Sequence, residues 1–352
     1  MVNRQTPRLL SLLMLMCWVL PLMHGCEGGE TASGSDTHDD TLLVGFSMAT
    51  LKEDRWLQDR DIFISKAKQA GIEVIVSNAN NDTELQFSQV RDMVAQNIDV
   101  LVIAPHDREL AADCVALAKK EGIPVISYDR LVTNADVDVY ISFDNVKVGR
   151  LQGEGITQAV PKGGYIVLNG SQNDNNSIMF REGYMEMLQP LVDSGAVEIT
   201  AETWVENWRR ETAFEFVSQA IKDNPGGVGA IIAANDSLAW GAIDALAEAR
   251  LADKVKVVGH DADLAACQRI VVGTQMLTVY KPIKNLVEAT VAMCKTLAAG
   301  QPVQAQDTIF DGSYDVPYVM IDVVAVTKDN IDDTVIRDGF HLREDVYRSI
   351  KN

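Results

Sequence analysis

The chain has 352 residues, 47% of them hydrophobic, which is enough to bury a sizeable core and to form two domains of ordinary size. Its formal net charge is −19, and because the first 25 residues hold two arginines and no acid, the rest carries −21. So acidic a surface repels phosphates, which argues against nucleic acid or an anionic membrane as partner and fits a soluble protein handling a neutral or polar small molecule.

Arg4 and Arg8 precede LLSLLMLMCWVLPLM, an apolar run the size of a signal-peptide core. It is short of the ~20 residues that a membrane-spanning helix needs. MHGC follows, with Gly25 before Cys26, and resembles a bacterial lipobox. That predicts a signal peptide over 1–25, lipidation of Cys26 and export to the periplasm or cell surface, the bland alternative being a plain secretory signal. EGGETASGSDTHDD has nothing to bury and reads as a flexible tether over 26–41. Beyond Cys26 only Cys114, Cys267 and Cys294 remain, without metal-site spacing, and they read as buried free thiols.

From Thr41 short apolar runs alternate with helical patterns. TLLVGFSM leads to a helix from about Asp54 to Ala70, then EVIVSN, the helix TELQFSQVRDMVAQN, IDVLVIAP, the helix ELAADCVALAKKEG, IPVISY and VYISF. This spacing predicts β-α-β units around a parallel sheet, whose strands are apolar throughout because both faces are covered. After Asn145 the alternation starts afresh, through YIVLNG, EITAE, GAIIAAN, KVKVVGH and MLTVY with their helices, which predicts a second lobe of the same α/β class. Trp240, in the helix SLAWGAIDALAEARL, reads as core packing. Neither a GxGxxG after the first strand nor a GxxxxGK[ST] is present, and no calcium loop is found.

In open α/β sheets ligands bind beyond the carboxyl ends of the strands. Here those ends carry Lys52, Arg55 and Trp56; Asp129 and Arg130; Asp144 and Asn145; Asp174, Asn175, Asn176 and Arg181; Trp204 and Trp208; Asn235 and Asp236; Asp261 and Asp263; and Lys281. Taken singly, an Asp or Asn at a helix start is usually an N-cap and a lysine usually solvated. Together they mix acceptors, forked donors and flat apolar rings, which suits sugar hydroxyls and the C–H face of a pyranose. No Ser-His-Asp or Cys-His arrangement is apparent, and acids interleaved with Asn, Arg and Lys stay ionised, so the site reads as built to hold a ligand rather than react with it.

The stretches RWLQDRDIF, VLVIAP, YDRLV, ISFDNVKVG, DNNSIMFR, GHDADLAACQRI, GTQMLTVYKPI and DTVIRDGFH resemble the periplasmic sugar-binding proteins of ABC importers, and among these the xylose-type members. The resemblance covers about 42–342 and implies a two-lobed type I periplasmic-binding-protein fold with three interlobe crossings. It implies a first lobe of 42–143 plus 282–313, a second of 144–281 plus 314–341, and a C-terminal tail of 342–352. It further implies hydroxyl contacts from Arg55, Asp129, Arg130, Asn175, Arg181, Asn235, Asp261 and Lys281, stacking by Trp56 and Trp208, and contacts from Asp144 and Asn145 at the first crossing. A monosaccharide, foremost D-xylose, would be delivered by hinge closure to a membrane permease with its ATPase, by a monomer with no enzymatic activity, cofactor or metal. A sensory protein feeding a receptor kinase or chemoreceptor, or specificity for another pentose or hexose, is the alternative. The sequence departs from the xylose-type pattern at GHD, where Gln is more usual before the Asp, and at WRRET, which is more basic.

Overall fold

The computed structural model describes residues 41–350; the predicted signal peptide, Cys26 and nearly all of the tether lie outside the described residues. The chain begins with β1 (Leu42–Met48), α1 (Asp54–Gln69), β2 (Ile72–Asn78), α2 (Thr83–Val94), β3 (Val100–Ala104), α3 (Ala112–Lys120), β4 (Val125–Tyr128) and β5 (Val139–Phe143). A second run follows: α4 (Asn145–Ala159), β6 (Gly163–Asn169), α5 (Asn175–Asp193), β7 (Val197–Trp204), α6 (Arg210–Asp223), β8 (Val228–Ala233), α7 (Asp236–Glu248), β9 (Lys256–Val258), α8 (Leu264–Val272) and β10 (Thr278–Tyr280). The last elements are α9 (Ile283–Ala298), β11 (Asp307–Phe310), β12 (Asp315–Ile321), β13 (Val324–Val326) and α10 (Arg343–Val346).

The first sheet runs β11-β12-β5-β4-β3-β1-β2 and is parallel except for the β11–β12 hairpin. Successive residues of β3 point to opposite faces, as the pleat requires. Val100, Val102 and Ala104 pack with Phe63 and Ala67 of α1, whereas Leu101 and Ile103 pack with Val90, Met93 and Val115 of α2 and α3. Both faces are therefore covered, which explains the unbroken apolar run VLVIA. Complete burial of a side chain such as Phe46 or Phe63 contributes about 1.5–3 kcal/mol.

The second sheet runs β7-β6-β8-β9, and a parallel bridge from Val258 to Leu277 continues it into the antiparallel pair β10–β13. Its helices α4 and α5 touch backbone to backbone. A Cβ on Gly149 would lie 1.9 Å from the Phe180 carbonyl oxygen, and one on Gly183 at 1.9 Å from that of Val146, so only glycine permits this approach.

Three connections join the sheets: Phe143 to α4, Tyr280 to α9, and Ile321 to β13. The third corrects the expected boundary at 313, because β12 pairs in parallel with β5 from Tyr318↔Tyr140 to Ile321↔Phe143 and belongs to the first lobe. The C-terminal segment packs on the second lobe: α10 buries Val346 against Cys267, Ile270 and Val271 of α8, and Gln268 Nε2 donates to the Asp345 carbonyl at 2.8 Å. Trp240 is not core either. It is 39% exposed, with the Arg210 guanidinium 3.5 Å above its ring. Cys114, Cys267 and Cys294 are free and buried, and burial pushes the thiols of Cys114 and Cys294 up to about 12.

Candidate functional site

Between the sheets, at the carboxyl ends of the strands, lies a narrow cavity of about 30 Å³. The first lobe lines it with Glu53, Arg55, Trp56, Asp129 and Arg130. The second adds Asp174, Asn176, Phe180, Trp208, Asn235, His260 and Asp261, and Lys281 enters at the second crossing.

The centre is built around Arg55, in the first turn of α1. One turn on, Asp59 receives its Nε at 3.2 Å and Nη2 at 3.1 Å, because i and i+4 share a helix face. Tyr128, ending β4, donates its hydroxyl to the same Asp59 carboxylate. On its other side the Arg55 fork lies 2.8 Å from Asp129 and 3.9 Å from Asp261. Its guanidinium stacks 4.3 Å from the Trp56 ring, with Arg130 at 5.1 Å from that ring. Burial disfavours the Arg55 charge, but Asp129, Asp59 and Asp261 outweigh it, so the guanidinium is held even more firmly protonated than usual.

Asp129 and Asp261 share a backbone solution. Each follows a strand with φ in the left-handed region, +60° and +101°, and each anchors its N–H on a neighbouring strand, Asp129 on the Ile141 carbonyl and Asp261 on that of Val279. Non-glycine residues in such conformations are held there by their surroundings and cluster at functional sites. Burial would raise both carboxyls. For Asp129 the cations Arg55 and Lys281 outweigh it, and for Asp261 the His260 ring, Lys281 and Arg55 do, so both are depressed. The Lys281 ammonium lies 2.8 Å from Asp261 Oδ1.

Trp208 is 7% exposed, ends a short 3₁₀ turn at Glu206–Trp208 and sits edge-on to Phe180 at 6.5 Å. Gly170 makes room for it, since a Cβ there would lie 2.1 Å from the indole. Asn235 accepts from the Leu238 N–H at 3.0 Å as the cap of α7, leaving its amide N–H groups for the cavity. His260 packs on Phe180 at 4.4 Å, and burial pushes its imidazole down to about 3, so it is neutral near pH 7.

Several buried polar atoms of this lining have no hydrogen bond of good geometry: Glu53 Oε2, Asp129 Oδ2, Asp261 Oδ1, Trp208 Nε1 and His260 Nδ1. Asp129 and Asp261 are paired by charge, yet their lone pairs are not aligned with an N–H. Glu53 Oε2, Trp208 Nε1 and His260 Nδ1 have neither hydrogen bond nor ion pair, which costs about 1–3 kcal/mol each, so they mark where a polar ligand would bond. Among the described residues no cluster of His, Cys, Asp or Glu is arranged to hold a metal ion.

The model of the periplasmic binding protein domain family matches residues 44–302. The chain belongs to the periplasmic binding protein family. This family member is 44% identical to the D-xylose-binding periplasmic protein of Haemophilus influenzae over 91% of this chain and 96% of that one. It is 42% identical to the protein of the same name from Escherichia coli, over 88% and 94%. Among solved structures, a carbohydrate transporter solute-binding protein of Chloroflexus aurantiacus in complex with D-glucose superposes with a TM-score of 0.81 at 30% identity, covering 86% of this chain and 98% of that one.

Of the twelve binding-protein residues singled out in the sequence, the cavity gathers Arg55, Trp56, Asp129, Arg130, Trp208, Asn235, Asp261 and Lys281. Four lie elsewhere. Asp144 caps α4, accepting from the Lys147 N–H at 2.9 Å. Asn145 is fully buried behind the lining, where its amide donates to Ser142 Oγ at 3.1 Å and Asn176 Oδ1 at 3.0 Å. Asn175 opens α5 half-buried, and its neighbour Asn176 faces the cavity instead. Arg181 pairs with Glu202 at 2.7 Å and lines a separate surface pocket with Trp204. The α5 period explains the last two: Asn176 and Phe180, four apart, share the inner face, which leaves 175 and 181 off it. Glu53, Phe180 and His260 were absent from the sequence expectation, and Asn176 was named among the strand-end residues but not among the twelve, although its i, i+4 spacing to Phe180 could have paired them.

Proposed function

We propose that this periplasmic binding protein takes one monosaccharide, foremost D-xylose, into the interlobe cavity and presents it to the membrane permease of an ABC importer. The observation that carries the reading is the set of buried, unpartnered acceptors and donors on both lobes, gathered around the fixed Arg55 fork and flanked by Trp56 and Trp208. A sugar hydroxyl donates and accepts at once, so a polyol satisfies carboxylates, indole N–H and imidazole together. Because both lobes would touch the same ligand, its binding favours the closed arrangement, the hinge-closure behaviour for which periplasmic binding proteins are a standard example. Lipidation of Cys26 and tethering to a membrane complete the reading, supported by the lipobox-like MHGC.

The protein would act as a monomer and without a cofactor. The relatives named for D-xylose favour a pentose, while the neighbour holding D-glucose makes a hexose the second reading. Thermal unfolding of leader-free protein against a panel of pentoses and hexoses tests this. A ligand at a hundredfold excess over its Kd stabilises by about 2.7 kcal/mol, and D-xylose is expected to give the largest shift. No shift with any sugar at millimolar concentration would overturn the reading.

A further inference from the structure

The turn that leads into α1 carries a carboxylate to which the contacts above give no task. Glu53 occupies the N-cap position, yet its side chain caps nothing. Its side chain is 11% exposed, its Oε1 is 3.8 Å from Lys52 Nζ, and its Oε2 is buried without a hydrogen-bond partner while lining the cavity. The second lobe lines the same cavity with Trp208, whose Nε1 is likewise buried and unpartnered. The two loops meet across the seam, where Lys52 Nζ donates to the Asn207 carbonyl at 3.2 Å. Each is thus one residue from a direct interlobe hydrogen bond.

An indole N–H only donates and an ionised carboxylate only accepts. One hydroxyl, accepting from Trp208 and donating to Glu53, would complete both. Burial raises the Glu53 carboxyl, with Arg130 and Lys52 acting against it.

We propose that Glu53 is a specificity-determining residue that accepts a hydrogen bond from one hydroxyl of the bound monosaccharide, the hydroxyl that also accepts from Trp208 Nε1. The inference rests on the sugar-binding reading above. It makes the preference for a sugar carrying that hydroxyl depend on both lobes, so the selection is made on closure.

The test is a calorimetric cycle of protein variants against ligand derivatives: wild type, Glu53→Ala and Glu53→Gln, each with D-xylose and with its monodeoxy derivatives. Glu53→Ala is expected to weaken D-xylose about tenfold, the scale of a hydrogen bond to a charged group. The same substitution should change the affinity for one monodeoxy derivative by less than about twofold, because the partner hydroxyl is already gone. Glu53→Gln, similar in shape, keeps the cycle readable where the alanine variant does not fold, and is expected to show the same pattern with a smaller loss. An equal loss for every derivative, or no loss at all, would overturn the proposal. Wild-type protein that binds none of these sugars would instead contradict the sugar-binding reading beneath it.

Discussion

Lys281 Nζ lies 2.8 Å from Asp261 Oδ1, where the second crossing leaves the second sheet, and both side chains are over nine-tenths buried. The pair holds the end of β10 to the end of β9 and points a cation into the cavity. Lys284, three residues on, is exposed on α9 and takes no part in the lining. Lys281→Ala leaves the Asp261 carboxylate short of its nearest cation. Breaking a buried pair costs about 3–5 kcal/mol, so chemical denaturation should show a loss of that order. Lys284→Ala should leave stability within about 0.5 kcal/mol, as an ordinary surface substitution does.

Asp59 does not line the cavity, yet it fixes the arginine that does. Asp59→Asn removes the charge that receives both Arg55 Nε and Nη2 and loosens the fork. The expected loss is about tenfold in sugar affinity by calorimetry, shrinking to nearly nothing in an Arg55→Ala background, because the two substitutions remove one unit. Additive losses would show that Asp59 acts on the fold alone.

Trp208 and Trp240, both on the second lobe, should separate cleanly. Trp208→Ala removes an indole that lines the cavity and should weaken sugar binding by about a hundredfold, the effect of truncating an aromatic anchor. Trp240→Ala removes a ring held on the surface between arginines and should leave affinity unchanged. Equal effects in fluorescence titrations would contradict this division.

His260 makes acid stability a readout of the cavity. Burial lowers its imidazole from 6.5 to about 3 in the folded state, with Asp261 opposing the shift and Lys281 and Arg55 adding to it. The unfolded chain therefore binds the proton first. The stability that neutral His260 allows is present above pH 6.5 and is lost as pH falls toward 3, at up to about 1.4 kcal/mol per pH unit. Asp59 and Asp174, raised by burial, act in the opposite direction over the acid range. A comparison of His260→Gln with wild type isolates the histidine. Denaturant midpoints between pH 7 and 4 should fall less steeply for the variant.

Much of this was legible in the sequence because it is local. Alternating apolar strands and helices announce an α/β lobe, and polar residues at strand ends must meet where two such lobes face each other. What escaped was non-local or depended on side-chain direction. DVPYVMI reads as a strand, but nothing within it says that its partner is β5, 178 residues earlier (Tyr318 against Tyr140), so the third crossing was placed too early. Asn175 and Asn176 are chemically identical and adjacent, and only the start of α5 decides which faces inward. Arg181 was assigned by its resemblance and its charge, while Glu202 on β7 supplies a nearer partner. Glu53 carries no signal of its own in the sequence, because its place in the cavity lining depends on the lobe that brings Trp208 to the same cavity.

A single binding site shared by two lobes is tested most directly by calorimetric titration of leader-free protein with D-xylose, alongside Lys281→Ala. Such a site predicts one sugar per chain with a Kd below about 1 mM, corresponding to more than about 4 kcal/mol of binding free energy, and a loss of at least about a hundredfold in the variant. Wild type that fails to bind, or a variant that binds as tightly as wild type, would contradict it.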